Sequence, residues 1–270
     1  MAESHMDRAF SVNSKTGDRL ISLVIPCYNE ARSVRSTATR IVDAFRSQDI
    51  RLELVLVDNG STDETGKIID ELVGEGLPVV KVTVESNRGY GHGILSGLEK
   101  CTGEYAGFLC ADSQVDAVDV ARVAEIALNS QTPKLVKVRR RFRMDGLHRK
   151  LISIFYNALA NLVFGGLHSI DINGNPKILP REYIQRMQLR SEDWFLDPEV
   201  MIKTKRLGLP VYEFNVLGQM RAEGLSHVRG STMWEFFKNL MRYRFDSNLA
   251  RVSPPAKDNQ PASEKGITNE

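Results

Sequence analysis

Two hydrophobic patterns alternate along the first half of the chain. "LISLVIP", "LELVLVD", "PVVKVTV" and "EYAGFLCAD" are near-continuous apolar runs, the pattern of strands buried on both faces. Between the first two, "NEARSVRSTATRIVDAFRSQ" carries Val34, Ile41, Val42 and Phe45 at helical spacing. "STDETGKIIDELV" predicts a second helix, opened by Ser61, Thr62, Asp63 and Glu64, which suit a helix start. "GYGHGILSGLEKC" reads as a short Gly-rich helix, and a further helix is expected from about Val118 to Asn129. Such alternation predicts βαβ units and a parallel sheet covered on both faces.

The second half changes character. "KLVKVRR" reads as another strand, followed by a cation-dense stretch and the apolar segment 151–167. Ser153, Asn157 and Asn161 interrupt that segment, and it falls short of the roughly 20 apolar residues of a spanning helix. Then come the turn-rich "DINGNPKILP", a helix near 180–189, and "DPEVMIKTKRLGLPVYEFNV", a helix leading into a strand. "STMWEFFKNLMRYRFDSNL" is a final amphipathic helix, which either packs internally or pairs two copies in a homodimer. The polar segment 1–18 has no leader pattern, and both it and the polar tail 251–270 are expected to be disordered. A single domain over 19–250 remains.

Composition narrows the classes. A hydrophobic fraction of 42% supports a packed core, and a net charge of +2 makes the chain as a whole no polyanion binder. Cys27, Cys101 and Cys110 form no CxxC pair and sit in apolar settings, which favours reduced thiols and a cytoplasmic compartment.

Candidate chemistry gathers where the strands end. In parallel sheets, ligands bind at the carboxyl ends of the strands. Tyr28, Asn29 and Glu30 follow the first strand, Asp58 ends the second, and Asp112 ends the fourth. Asp112 and Gln114 supply hard oxygens of the kind Mg²⁺ or Mn²⁺ takes, whereas Asp116 reads as the cap of the following helix. The Asp58 turn serves a ribose or base, or simply caps a strand–helix turn. The glycines of "SNRGYGHG" let a backbone approach a ligand, or make a plain turn; they fit neither GxGxxG nor a P-loop. Lys137, Arg139, Arg140, Arg141, Arg143, Arg149 and Lys150 suit phosphate recognition or a solvated face. Aromatic residues are too sparse among them for nucleic acid. Beside the apolar 151–167 helix, they have the layout of a membrane-surface element, with packing on the sheet as its rival.

The segments "ISLVIPCYNEA", "LVLVDNGSTDET", "NRGYGHGILSGL", "FLCADSQ", "RKLISIFYNALANLVFG", "DINGNPKIL" and "RAEGLSH" together resemble the family 2 glycosyltransferases. Within them the likeness is to the dolichol- and polyprenyl-phosphate mannose or glucose synthases, and it covers roughly 20–228. It implies the GT-A nucleotide-diphospho-sugar transferase fold, α/β with a mostly parallel central sheet flanked by helices. It also implies a nucleotide-binding half at about 19–130 and an acceptor-binding half at about 131–250.

The implied activity is inverting transfer of a hexose from a GDP- or UDP-sugar to a dolichyl or undecaprenyl phosphate, with Mg²⁺ or Mn²⁺, at the inner face of a membrane. By the same resemblance Pro26, Tyr28, Glu30, Asp58, Asp112, Arg221 and Ser226 bind the donor. Asp112 and Gln114 hold the metal, and Asp112 and Arg221 are catalytic. Arg139, Arg149 and Glu199 bind the acceptor. If the acceptor were a hydroxyl, Asp197 or Glu199 would be its base. Two departures stand out: Cys110 replaces the first aspartate of the metal motif, and His227 replaces the lysine after the loop serine. They leave open transfer to a soluble hydroxyl or amine acceptor, or a nucleotide-sugar binder impaired in catalysis.

Overall fold

The computed structural model describes residues 19–111, 115–141, 147–217, 230–246 and 248–254; of 141, 147–153 and 230–236 it describes the backbone alone. In chain order the elements are β1 (Leu20–Cys27), α1 (Val34–Ser47), β2 (Arg51–Asn59), α2 (Thr65–Gly74), β3 (Val79–Val84), α3 (Tyr90–Leu98), β4 (Tyr105–Phe108) and α4 (Ala117–Leu128). The second half adds β5 (Leu135–Arg141), α5 (Leu147–Val163), β6 (Lys177–Pro180), α6 (Arg181–Met187), α7 (Leu196–Arg206), β7 (Val211–Leu217) and α8 (Gly230–Phe245).

The strands form one seven-stranded sheet in the order β3-β2-β1-β4-β6-β5-β7. Every neighbouring pair is parallel except the two that involve β6, which runs against both β4 and β5. The mostly parallel sheet matches the expectation, and the reversed strand is new. "KILP" lies in the turn-rich stretch "DINGNPKILP". All its residues are buried, so it has no alternation to betray a strand, and prolines flank and end it.

Alternation along β1 divides the core. Ile21, Leu23 and Ile25 face α1, α2 and α4, where Phe45, Ile69, Val120 and Ala124 meet them. Val24 points the other way, with Val55, Val57 and Phe108, toward Ile94 of α3, Leu196 and Val200 of α7, and Leu240 of α8. Leu240 and Tyr243 thus pack α8 inward against this second core. Pro26 is tolerated inside β1 because β4 pairs only with Ile21–Val24, so on that side no ladder remains to break. The chain after α8 stays docked as far as Ser253, whose N–H donates to the Arg186 carbonyl at 2.8 Å.

The three cysteines are free. Burial pushes the Cys27 thiol far above its ordinary range and the Cys101 thiol up to about 12, so both are inert core groups. Cys110 is only half-buried.

Helix α3 lies directly on β1 and β2 at Gly97. A Cβ there would come within 2.3 Å of one Val24 methyl and 2.9 Å of a Val57 methyl. Gly97→Ala gains about 1 kcal/mol of helix propensity. It meets two stiff, β-branched, fully buried side chains, and overpacking of this kind costs about 1–3 kcal/mol. A lower urea midpoint for Gly97→Ala at unchanged slope is the expected outcome of equilibrium unfolding.

Candidate active site at the carboxyl edge

The register brings the carboxyl ends of β1 and β2 level, with Cys27 beside Asp58. The loops that follow are stitched together. Asn29, in the left-handed region at φ 56°, accepts from Thr62 N at 2.8 Å through its Oδ1. Its own N–H donates to Ser61 Oγ at 3.1 Å, Glu30 N donates to Thr65 Oγ1 at 2.8 Å, and Ala31 N donates to Asp63 Oδ2 at 3.1 Å. The result is a fixed shelf carrying half-exposed Tyr28 and partly buried Pro26 and Glu30. The Glu30 carboxylate accepts from the Ser33 hydroxyl. Asp58 accepts from Ser61 N at 3.0 Å, closing the turn, while its other oxygen lies so near Gly66 that a Cβ there would be 2.4 Å away. Asp58 therefore does the turn-closing work foreseen for it and still stands on the shelf.

The glycines after β3 serve the protein itself. A Cβ on Gly89 would meet the Glu192 carbonyl at 2.7 Å, and one on Gly91 the Ser191 carbonyl at 2.3 Å. The close approach that these glycines permit is taken up by the loop before α7. His92 N donates to the Glu192 carbonyl at 2.9 Å, and Arg88 donates to both Glu192 carboxylate oxygens at 2.7 and 2.8 Å.

At the end of β4, Cys110 joins a polar cluster absent from the sequence-derived site. Its thiol donates to Tyr90 Oη at 3.4 Å. The Asn175 amide donates to Tyr90 Oη at 3.0 Å and approaches Cys110 Sγ at 3.6 Å. Asn175 Oδ1 accepts from Lys177 Nζ at 3.2 Å, and Lys177 forms an ion pair with Asp197. β6 makes this possible: running in reverse, it sets Lys177 beside Phe108, with the ammonium 5.6 Å from that ring's centre. A thiol engaged in these bonds is no ligand for a hard cation. The oxygens suited to one belong to Asp112 and Gln114, outside the described residues; among the described residues no group of three or more His, Cys, Asp or Glu could hold a metal. One signal for the cluster was in the sequence: a lysine inside a short apolar run between prolines has to be buried, and a buried ammonium needs a carboxylate.

The second half of the chain holds another buried network. Lys137, fully buried, donates to Glu213 Oε1 at 3.1 Å and to the Asp171 carbonyl at 2.5 Å. Burial, helped by the nearby Lys177 ammonium, lowers its pKa to about 8 against the pull of Asp171 and Glu213. Arg140 grips Asp171 with Nε and Nη2, both at 2.9 Å. Burial alone would raise the Asp171 carboxyl, but the Arg140 guanidinium and Lys137 hold it well below the usual carboxylate range. One arginine of the cation run is thereby committed to the protein. Arg139, next to it on β5, is half-buried.

Glu199 does not stand on an open surface. It is fully buried in α7, paired with Lys203 at 2.5 Å, and accepts from Arg190 N at 3.1 Å and Ser191 N at 2.7 Å. Its carboxylate shapes the loop before α7, and Asp197 is held by Lys177. Asp116 caps α4 as foreseen, accepting from Val118 N at 2.9 Å. Gln114, Asp112, Arg221 and Ser226 lie outside the described residues, and Arg149 is described only as backbone at the start of α5.

In an α/β sheet, polar groups gathered at the carboxyl ends of the strands mark the edge where a ligand binds. Residues 22–190 match the model of Glycosyl transferase family 2, and the chain belongs to that family. Among its relatives, the dodecaprenyl-phosphate galacturonate synthase of Rhizobium johnstonii is 33% identical over 231 residues, 83% of this chain and 66% of that protein. The undecaprenyl-phosphate 4-deoxy-4-formamido-L-arabinose transferase of Sodalis glossinidius is 32% identical over 146 residues, 54% of this chain. The chain spans 44% of that transferase's length. In fold it resembles the glucosyl-3-phosphoglycerate synthase of Mycobacterium tuberculosis crystallised with Mn²⁺, UDP and glucosyl-3-phosphoglycerate. The TM-score is 0.65 at 20% identity, covering 86% of this chain and 81% of that one. The expected GT-A fold is borne out.

Asp171 sets a pH dependence. Its folded pKa lies below the unfolded value of about 3.9. The unfolded chain therefore binds the proton first, and the stability from this carboxylate is present at neutral pH, begins to fall as pH drops through about 4 and is fully lost only below the folded pKa. Between pH 6 and pH 3 the wild-type urea midpoint is expected to fall. Asp171→Asn should start lower at pH 6 and fall less steeply, the remaining slope coming from Glu213, Glu53 and Asp63, whose carboxyls are also lowered.

Proposed function

We propose that the protein is an inverting glycosyltransferase that moves a hexose from a nucleotide diphosphate sugar to a polyprenyl phosphate, assisted by Mg²⁺ or Mn²⁺. The observation that carries this reading is the convergence of the β1 and β2 shelf with the end of β4 at one edge of a family 2 domain. The shelf residues Pro26, Tyr28, Glu30 and Asp58 take the nucleotide. Asp112 and Gln114 would hold the divalent cation, which when bound neutralises the diphosphate. Arg221, with Ser226, offers the same oxygens a guanidinium as negative charge develops on them.

The reaction breaks the bond from the anomeric carbon to the β-phosphate oxygen, which keeps the electron pair. An oxygen of the acceptor phosphate attacks from the opposite face, so the configuration inverts. A phosphate monoester is already anionic at neutral pH, so Arg139 and Arg149 have only to position it. The engagement of Asp197 and Glu199 in buried ion pairs favours this acceptor over a hydroxyl, which would need one of them free as a base. The names of two relatives, an undecaprenyl-phosphate transferase and a dodecaprenyl-phosphate synthase, point to the same acceptor class.

Helix α5 supports a place at the membrane surface. Ile154, Phe155 and Leu162 are exposed, Phe155 by 63% and Leu162 by 80%, while Tyr156 and Ala160 turn into the core. At 100° per residue the three exposed side chains fall within about a quarter-turn arc. Arg149 and Lys150 stand at the helix start, suited to anionic headgroups. Among the described residues no helix is long and apolar enough to cross a membrane.

The deciding assay offers UDP-glucose, UDP-galacturonate and GDP-mannose with a short polyprenyl phosphate, with and without Mn²⁺. Turnover that depends on the lipid phosphate is expected, and turnover with soluble hydroxyl acceptors alone would refute the reading. Asp112→Ala should lower turnover at least a hundredfold while the circular dichroism spectrum stays unchanged. In flotation with anionic vesicles, the double variant Phe155→Glu, Leu162→Glu should bind roughly tenfold or more weakly, with transfer to a short, water-soluble phosphate acceptor retained.

A further inference from the structure

Trp194 is an aromatic residue that the proposed mechanism does not use. Its ring stacks on Tyr90 with centroids 4.5 Å apart and planes within 13°, yet 48% of the residue remains exposed. Tyr90 is the same residue whose hydroxyl receives Cys110 and Asn175 at the end of β4. The indole is therefore tied through Tyr90, which it stacks on, to Cys110 at the end of β4.

The loop that carries Trp194 is held from several directions. Glu199 accepts the Arg190 and Ser191 N–H groups. The Ser191 hydroxyl meets Tyr243 Oη at 3.0 Å, and Asn239 of α8 donates to Asp193 at 3.3 Å. Asp193 in turn accepts from Phe195 N at 2.8 Å. On the other side, Glu192 holds Arg88 and His92, and Gly89 and Gly91 leave room for the loop to lie against α3. A half-exposed tryptophan on a loop so fixed is preorganised, and it binds a partner without first having to be ordered.

We infer that Trp194, backed by Tyr90, is the platform on which the hexose of the nucleotide sugar rests, and so a specificity-determining residue for the transfer. This rests on the glycosyltransferase reading above. The chemistry is that of an apolar sugar face, whose C–H bonds are drawn to the negative face of an aromatic ring. The position favours the hexose over the base. The base belongs at the far side of the shelf, by Asp58, whereas the sugar hangs from the diphosphate at the end of β4. The Tyr90 hydroxyl couples the platform to Cys110, so the residue at the first position of the metal motif also fixes where the sugar lies.

The test is calorimetric titration of wild type, Trp194→Ala and Trp194→Phe with the nucleotide sugar that turns over in the panel above, and with the matching sugar-free nucleotide diphosphate. Trp194→Ala is expected to bind the nucleotide sugar roughly 3- to 10-fold more weakly and the diphosphate equally well, and Trp194→Phe to recover most of the loss. The chain's other tryptophan is Trp234, so Trp234→Phe leaves Trp194 as sole reporter. Its fluorescence should respond to the nucleotide sugar and not to the diphosphate. Unchanged nucleotide-sugar affinity in Trp194→Ala overturns the inference. So does equal loss for both ligands, or a rise confined to the KM of the lipid acceptor. If wild type binds no nucleotide sugar, the glycosyltransferase reading itself fails, an outcome distinct from the others.

Discussion

Three lysine side chains, Lys137, Lys177 and Lys203, are out of contact with solvent, and the second half of this protein is arranged around that constraint. An ammonium taken out of water is tolerable only with a carboxylate and further hydrogen bonds at hand. Lys177 finds them in Asp197 and Lys137 in Glu213, each on a segment that the sheet brings near, and Lys203 in Glu199 one turn back on its own helix. These pairs lock β5, β6, β7 and α7 in place. Removing one partner would leave the other charged and buried, so the geometry they set is difficult to relax.

The first half is held differently. Between β1 and β2 the bonds run from backbone N–H groups to short polar side chains, Ser61, Asp63, Thr65 and Asn29, at the mouth of a parallel sheet. That mode leaves no net charge on the shelf beyond its own carboxylates, and it keeps Tyr28 half-exposed above it. The two halves meet at Cys110, whose thiol is bound by Tyr90 of α3 and approached by Asn175 just before β6, so a neutral hydrogen-bond network occupies the end of β4.

Much of this was legible in the chain. Buried strands announce themselves by unbroken apolar runs, and α1, α2 and α4 by their spacing. Asp116 could be read as a cap because its effect is local. Asp58 was read as either a turn or a ligand, and a single carboxylate at a strand end does close the turn. What escaped was non-local. β6 is four residues long with every side chain buried, so neither period nor length marks it. The glycines at 89 and 91 signalled a close approach, but nothing near them in sequence said that the visitor was the loop a hundred residues later. Glu199 stands one helical turn from Lys203, but only the packing of α7 shows that the pair is buried and not open to an acceptor.

The sequence by itself determined the alternation of strands and helices, the parallel half of the sheet and the edge at which polar residues would collect, because these follow from short-range periodicity and from where apolar runs stop. Only the tertiary structure decided which carboxylates remain available. Asp171, Asp197, Glu199 and Glu213 are each taken by a cation, three of them by a buried lysine and Asp171 by Arg140. A buried charge selects its partner by distance in space: the reversal of β6 sets Lys177 near Asp197, the pairing of β5 with β7 sets Lys137 beside Glu213, and the packing of α7 takes the Glu199–Lys203 pair out of solvent.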